Sequence, residues 1–425
     1  MPSTTIPYGS PQAIRLQSVG LFASCMQRLT LMNRLTGKLP TQADAENRLR
    51  FHSTNELPIV RCKDLSRRAG DEITFDLVQP IGGKPIMGEA YAEGNGDRMD
   101  FVNDSLRINQ YRKPINAGGK MTQQRTEHQL RGLARAQALN YMKRLEDQSC
   151  LVHLAGARGS DFNIEWAIPL ASDPDFANIM INPIRAPTRN RHYLASSGSL
   201  KKVVASGNEI TIATTDTMTS DVIDALRTKL DSMPLPPAGV KFEGDVAADD
   251  SPVRVLLVSS EQYTSIVQST NFRTLQANAM ARASMAKNNP VFMGEAGLWN
   301  GILIVKMPKP IRFFAGDSLR WCPSTTSTTE TATDLVPAAF GTGYAVDRAI
   351  LLGGQALCEA YGMARQTGDA YFWSEKELDH GDKLEICIGA IGGRSKIRYQ
   401  LDFGYGLEYT DLGVIAIDTA VKLVP

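Results

Sequence analysis

The chain has 425 residues, 43% apolar and 21% charged, values that exclude intrinsic disorder and predict more than one packed lobe. A formal charge of +1, from 46 basic and 45 acidic residues, excludes a strong overall field toward nucleic acid or an acidic membrane. The opening stretch MPSTTIPYGSPQ lacks a basic region ahead of an apolar run, and no apolar stretch nears the roughly 20 residues of a bilayer span, so cytoplasmic synthesis and no membrane are expected. Six cysteines (Cys25, Cys62, Cys150, Cys322, Cys358, Cys387) without a CxxC pair read as reduced, mostly buried thiols, not as zinc ligands or a disulfide framework.

From Ala13 to Leu35, Ile14, Leu16, Val19, Phe22, Met26, Leu29 and Met32 recur mostly at three- and four-residue steps, which predicts an amphipathic helical arm. Further on, Ile73, Phe75 and Leu77 alternate with Thr74 and Asp76, and Leu106 and Ile108 alternate with Arg107 and Asn109; both runs predict half-buried strands. Between them, Pro80 to Met99 carries Gly82, Gly83, Gly88, Gly94 and Gly96, the composition of a long two-stranded excursion, not a tight hairpin. Thr122, a candidate N-cap, opens a proline-free run to about Asp147 that predicts the longest helix, about 40 Å at 1.5 Å per residue. Its expected buried stripe runs through Leu130, Leu133, Ala134, Ala138, Tyr141, Met142 and Leu145, with Arg131, Arg135 and Arg144 outside it.

NPIRAPTRNRHYL, Asn182 to Leu194, gathers Arg185, Arg189, Arg191 and His192 between prolines. A phosphate-binding loop would need a glycine-rich turn or a helix start, so a solvated basic loop is expected instead. Ser220 to Met233 predicts an amphipathic helix, stopped by PLPPAG. An α/β rhythm follows: a strand in Val253–Val258, helices in SEQYTSIVQS and TLQANAMARASMA, and a second buried strand in GILIVKMP. Asn300-Gly301, just before that strand, is a pair that turns a chain sharply. The polar tract Pro323 to Asp334 predicts an exposed loop, Ala345 to Gly362 a buried helix, and the remainder is strand-rich.

No P-loop, HExxH, GxSxG or EF-hand pattern occurs, and the five histidines (His52, His128, His153, His192, His380) stand apart in sequence. Asp379, His380 and Asp382 in LDHGDKL are the residues best suited to acid–base work or a metal, since a carboxylate can orient an imidazole. Aspartates and a glycine ahead of an apolar run are also ordinary turn chemistry, the preferred reading. No enzyme activity, catalytic residue, cofactor or metal site is therefore expected; a soluble α/β enzyme built on that cluster is the more distant alternative.

An arm, a long glycine-rich hairpin, a domain-length helix, an α/β middle and a strand-rich end, in that order, resemble the major capsid proteins of tailed bacteriophages. The wording is closest to the major capsid family of N-four-like podoviruses, in GDEITFDLVQPIGG with EGNGDRMDF, GGKMTQQRTEHQLRGLARAQALNYMKRLED, NPVFMGEAGLWNGILIVK, RAILLGGQAL and DLGVIAIDTAVK. The resemblance spans roughly Gly70 to Lys422. It implies an α+β Johnson (Hong Kong phage-like) capsid fold, with an N-terminal arm at 1–60, an E-loop region at 61–118, a P-domain with spine helix at 119–215, an A-domain at 216–375, and C-terminal strands at 376–425 returning to the core.

The function so implied is a shell of hexamers and pentamers around a double-stranded DNA genome, in the virion, assembled in the host bacterial cytoplasm. An encapsulin-like nanocompartment shell is the nearer alternative. Gly82, Gly83, Lys84, Gly88, Gly94 and Gly96 become expected inter-subunit contacts of the E-loop, and Arg131 and Arg135 candidate genome-facing residues. Few residues precede Ile73, so a separate scaffolding protein is expected, alongside a portal protein, an optional decoration protein and weak non-specific contact with packaged DNA.

Overall fold

The computed structural model describes residues 57–62, 70–78, 84–87, 93, 101–241, 253–268, 297–326, 332–364, 370–402 and 406–423. The helices expected at Ala13–Leu35 and in TLQANAMARASMA lie outside them. The chain begins with β1 (Ile59–Cys62), β2 (Glu72–Val78), β3 (Phe101–Arg107), β4 (Asn109–Gly119), α1 (Lys120–Gln124), α2 (Leu130–Ala155) and α3 (Phe176–Met180). The middle runs through β5 (His192–Ser196), β6 (Ser199–Lys202), the two-residue strands β7 (Ala205–Ser206) and β8 (Glu209–Ile210), α4 (Ser220–Ser232), β9 (Arg254–Val258) and α5 (Ser260–Val267). Then come β10 (Gly297–Trp299), β11 (Ile302–Lys306), β12 (Arg312–Phe313), β13 (Ser318–Trp321), β14 (Ala332–Leu335) and β15 (Tyr344–Leu352). The chain closes with β16 (Leu357–Tyr361), β17 (Tyr371–Leu378), β18 (Lys383–Lys396), β19 (Arg398–Asp402), β20 (Leu407–Asp411) and β21 (Val414–Lys422).

Two sheets carry the architecture. An eight-stranded sheet runs β10-β11-β9-β15-β21-β5-β6, with β12 on β15. Its central strands β9, β15 and β21 are buried along nearly their whole length, as strands covered on both faces must be. A five-stranded sheet runs β1-β16-β18-β17, with β4 on the far side of β18. The long helix α2 lies across β18 and β4, burying Ala134, Ala138 and Met142 against Tyr371, Trp373, Ile386 and Ile388. Small side chains at 134 and 138 bring the helix backbone close to the sheet.

Helix α2 starts later and ends later than its sequence predicts. Thr122 falls in the short α1, Gln129 precedes the first turn, and the helix continues past Asp147 to Gly156, whose left-handed φ of 66° closes it. A Cβ at Gly156 would stand 2.3 Å from the Arg185 carbonyl oxygen, so only glycine fits there. Leu133, assigned to the buried stripe, is 51% exposed; the buried face runs through Ala134, Ala138, Met142 and Glu146. Everything from Gln148 to Ala155 is buried, so the polar residues near Asp147 do not end the helix.

Ala345 to Gly362, expected as a helix, instead forms β15 and β16, one in each of the two sheets. Burial on both sheet faces makes every position apolar or internally paired and removes the alternation that marks a half-exposed strand. The predicted strands at Ile73 and Leu106 pair antiparallel from Glu72↔Arg107 to Val78↔Phe101, and those at Val253–Val258 and Ile302–Lys306 pair in parallel. Asn300 and Gly301, with φ of 46° and 76°, form the two-residue turn between β10 and β11. In the polar tract, residues 332–334 belong to β14, while 327–331 lie outside the described residues.

Candidate functional site

The β2–β3 hairpin is the first place where several elements converge on one pair of strands. Val78 and Phe101 are the last residues of its paired part. Lys84 to Met87 has no regular secondary structure and is exposed, whereas Gly82, Gly83, Gly88, Gly94 and Gly96 lie outside the described residues. At the root, both guanidinium nitrogens of Arg185 donate to Asp104, at 3.0–3.1 Å. Arg398 donates its backbone N–H to the same carboxylate at 3.1 Å. The Asn182 side chain accepts from Arg107 N at 3.0 Å and donates to Arg107 O and Arg394 O, locking the end of β3 onto β18.

Those anchors come from the stretch expected to be a solvated basic loop, and the structure overturns that expectation. Arg191 is fully buried, donating to Thr410 Oγ1 at 3.1 Å and to Leu235 O at 2.6 Å. Thr188 and Asp411 exchange two hydrogen bonds, and Arg189 lies over the Trp321 ring. His192 sits 2.7 Å from Asp418, whose carboxylate also takes two bonds from the buried Arg348. Partners 44 to 226 residues away are invisible to local reading, which is why the stretch looks exposed.

Burial would raise the Asp418 carboxyl, but Arg348 and His192 hold it below the usual carboxylate range. Asp411 is likewise drawn down to about 2 against burial by Arg398 and Lys396. Arg348 also donates to the Ala155 carbonyl at 3.0 Å, so the same cation satisfies the C-terminal end of α2. A second buried network joins three elements: Glu359 on β16 accepts from Arg61 of β1 at 2.7 Å and from Arg394 of β18 at 2.8 Å. Glu146 of α2 lies 3.6 Å from Arg394 and accepts from Tyr111 and Tyr371. Two carboxylates and two guanidinium groups balance; burial raises the Glu146 carboxyl, while at Glu359 Arg394 and Arg61 outweigh burial and lower it.

The expected genome-facing arginines sit on the exposed N-terminal half of α2 but turn toward the sheet. Arg131 pairs with Glu375 at 2.8 Å with its side chain still 52% exposed, and Arg135 lies over the Trp373 ring. Around Asp379, His380 and Asp382 the backbone takes φ of 57°, 53° and, at Gly381, 83°, making the β17–β18 turn as expected. Asp382 accepts the Lys120 N–H and Asp379 pairs with Lys383. Among the described residues no group of three or more histidine, cysteine or acidic side chains could hold a metal, and no helix is long and apolar enough to cross a membrane.

What the geometry builds among the described residues is a set of buried ion pairs that tie the sheets, the β2–β3 hairpin and α2 together. The phage capsid protein family model matches residues 5–423. This chain belongs to the phage capsid protein family. It is similar to the capsid of Ralstonia phage GP4, at 26% identity with a TM-score of 0.68, covering 100% of this chain and 99% of that one. A cyanophage Pam1 capsid asymmetric unit matches at 16% identity and a TM-score of 0.57, over 87% and 90% of the two chains. The Helicobacter pylori bacteriophage KHP30 capsid matches at 13% and 0.53, over 87% and 89%. Among curated proteins none matches the chain. The mixed α and β sheets therefore form the Hong Kong phage-like capsid fold, and the chain is a shell protein of the virion, a structural protein that assembles from repeated copies.

Proposed function

We propose that this phage capsid protein is the major shell subunit of an N-four-like podovirus, forming hexamers and pentamers around a double-stranded DNA genome after assembly in the host cytoplasm. The observation that carries this reading is the match of the family over residues 5–423, with a capsid likeness covering the whole chain. In this reading residues 61–118 hold the E-loop, 119–215 the P-domain and 216–375 the A-domain, with 1–60 as an arm and 376–425 returning to the core. Gly82, Gly83, Lys84, Gly88, Gly94 and Gly96 lie over an adjacent copy. The exposure of Lys84 and the firm anchoring of the hairpin root through Asp104 and Asn182 support that role.

Arg131 and Arg135 lie on the genome side in this reading, and their contact with DNA is weak and non-specific because Arg131 is partly neutralised by Glu375 and Arg135 is turned over Trp373. A separate scaffolding protein, a portal and, optionally, a decoration protein complete the assembly. Expression of the chain with its scaffolding partner, followed by electron microscopy and sizing, tests the reading. Particles tens of nanometres across that hold DNA in infected cells are expected; a monomer or dimer under all conditions overturns it, and shells loaded with a cargo protein instead of DNA favour a nanocompartment.

A further inference from the structure

Helix α3 ends in a turn that few side chains tolerate. Ile181 has φ of 67° and ψ of −58°, and Asn182 N donates to Met180 O at 2.7 Å, so residues 180–182 make a γ-turn of the positive-φ kind, a rare and strained form. Among the described residues seven non-glycine positions have positive φ, and Ile181 is the β-branched one, the side-chain type least suited to it. Two further contacts hold the turn: the Met180 carbonyl lies 3.3 Å from His153 Nε2 on α2, and Ile181 N donates to Ala177 O at 3.2 Å. Beside it lies a cleft of about 890 Å³, lined by Phe176, Ile181 and Asn182 together with Asn103, Arg320 and Tyr409.

What the turn positions is the Asn182 side chain. Its amide accepts from Arg107 N and donates to Arg107 O, so it pairs with both backbone polar groups of the last residue of β3, as a neighbouring strand would. Ile108 alone separates β3 from β4, which belongs to the five-stranded sheet, and Asn182 ties this junction to Arg394 O of β18. Beneath the junction backbone meets backbone: a Cβ at Gly393 would stand 2.0 Å from Arg107 O. Asp104, three residues back along β3, is held separately by Arg185 and by the Arg398 N–H.

We infer that Asn182 is a latch on the Ile108 junction: relaxation of the strained Ile181 turn toward the cleft withdraws its amide and lets the β2–β3 hairpin take a second angle to the five-stranded sheet, turning on Asp104. A strained backbone persists only while the surrounding bonds outweigh its cost, and loss of the three Asn182 side-chain bonds tips that balance. The use for two angles follows from the shell reading above, on which this inference rests. Hexamers and pentamers place one chain in unlike surroundings, and a hairpin that lies over an adjacent copy must meet it in each of them.

Hydrogen exchange resolved to single amides by fragmentation mass spectrometry tests the latch in the unassembled subunit, with the amides of the buried strand β15 as the reference for the global fold. Ile181→Gly removes the strain from the latched arrangement and should slow exchange of the Arg107 N–H about tenfold. Ile181→Ala loses the same side chain but keeps a Cβ at positive φ, and should not slow it. An Arg107 rate in Ile181→Gly that matches or exceeds the parent's, or equal slowing in Ile181→Ala, overturns the latch. Loss of the fold in Ile181→Gly does so as well, since the isoleucine would then contribute more than its backbone costs. In purified shells the peptide containing Arg107 should show two exchange populations where the unassembled subunit shows one, and Ile181→Gly should shrink the faster of them; a single population in parent shells overturns the second angle. If the parent chain forms no shells the shell reading fails, while the subunit rates still decide the latch.

Discussion

His153 lies on the buried side of α2 with Nε2 against the Met180 carbonyl at 3.3 Å, and burial brings its pKa down to about 3. The unfolded chain protonates this imidazole near its ordinary value of about 6.5, so between about pH 6.5 and 3 the unfolded state binds more protons and stability falls as pH falls. His192, whose pKa is lowered by burial and by the nearby Arg348, adds a slope of the same sign. Asp411 acts in a lower window: its folded pKa of about 2 contributes stability above about pH 4 that is lost as pH drops toward 2. The melting temperature of the unassembled subunit should therefore fall from pH 7 to pH 4.5, and His153→Gln should reduce that difference. An undiminished difference in the variant, measured by calorimetry at both pH values, would show that His153 does not drive it. None of this is legible locally, because a lone histidine in SCLVHLAG gives no sign of whether water reaches it.

At the scale of elements, α2 has two unlike halves. From Leu130 to Tyr141 it touches the sheet chiefly through Ala134 and Ala138, whereas from Met142 onward burial spreads until, beyond Asp147, every residue is enclosed. Leu133→Asp should consequently leave the melting temperature within a few degrees of the parent, a change of about 0.5 kcal/mol or less as for other surface sites. Met142→Asp should prevent folding, since an unpaired carboxylate would enter the core beside Tyr371 and Ile386. Circular dichroism melts of both variants decide it, and a soluble, stable Met142→Asp protein would contradict the packing. The sequence placed this helix on its 3.6-residue period but chose Leu133 over Glu146, because hydrophobicity cannot foresee a glutamate buried by Tyr111, Tyr371 and Arg394. Half-exposed strands such as β2 and β3 were readable from alternation. The wholly buried β15, with Asp347 and Arg348 satisfied inside the protein, lacks that alternation and imitates a helix.

For the whole molecule, the order of parts and the five matching segments were enough to indicate a capsid shell, while the ion pairs that knit the lobes together needed coordinates. Deleting Ile81 to Gly96 spares the root fixed by Asp104 and Asn182, so the subunit should melt near the parent temperature yet yield few or fragile shells. Sedimentation shows particle yield, and stable shells from the deletion would remove the segment from assembly. Glu359→Gln should instead weaken the subunit itself by about 3–5 kcal/mol in denaturant titrations, because Arg61 and Arg394 would lose their buried counter-ion; no change would mean that water reaches the pair. Arg61 and Glu359 are 298 residues apart, and β21 must slot between β15 and β5 before the larger sheet is whole. At roughly 5–20 residues per second on the ribosome, β1 waits on the order of 15–60 s for its partner strand. A nascent chain cannot complete the smaller sheet before β18 ends at Lys396, nor the larger before β21 ends at Lys422. A fragment released before Lys396 therefore has neither sheet complete, and one released before Lys422 lacks the full length of the strand that joins β15 to β5 in the larger.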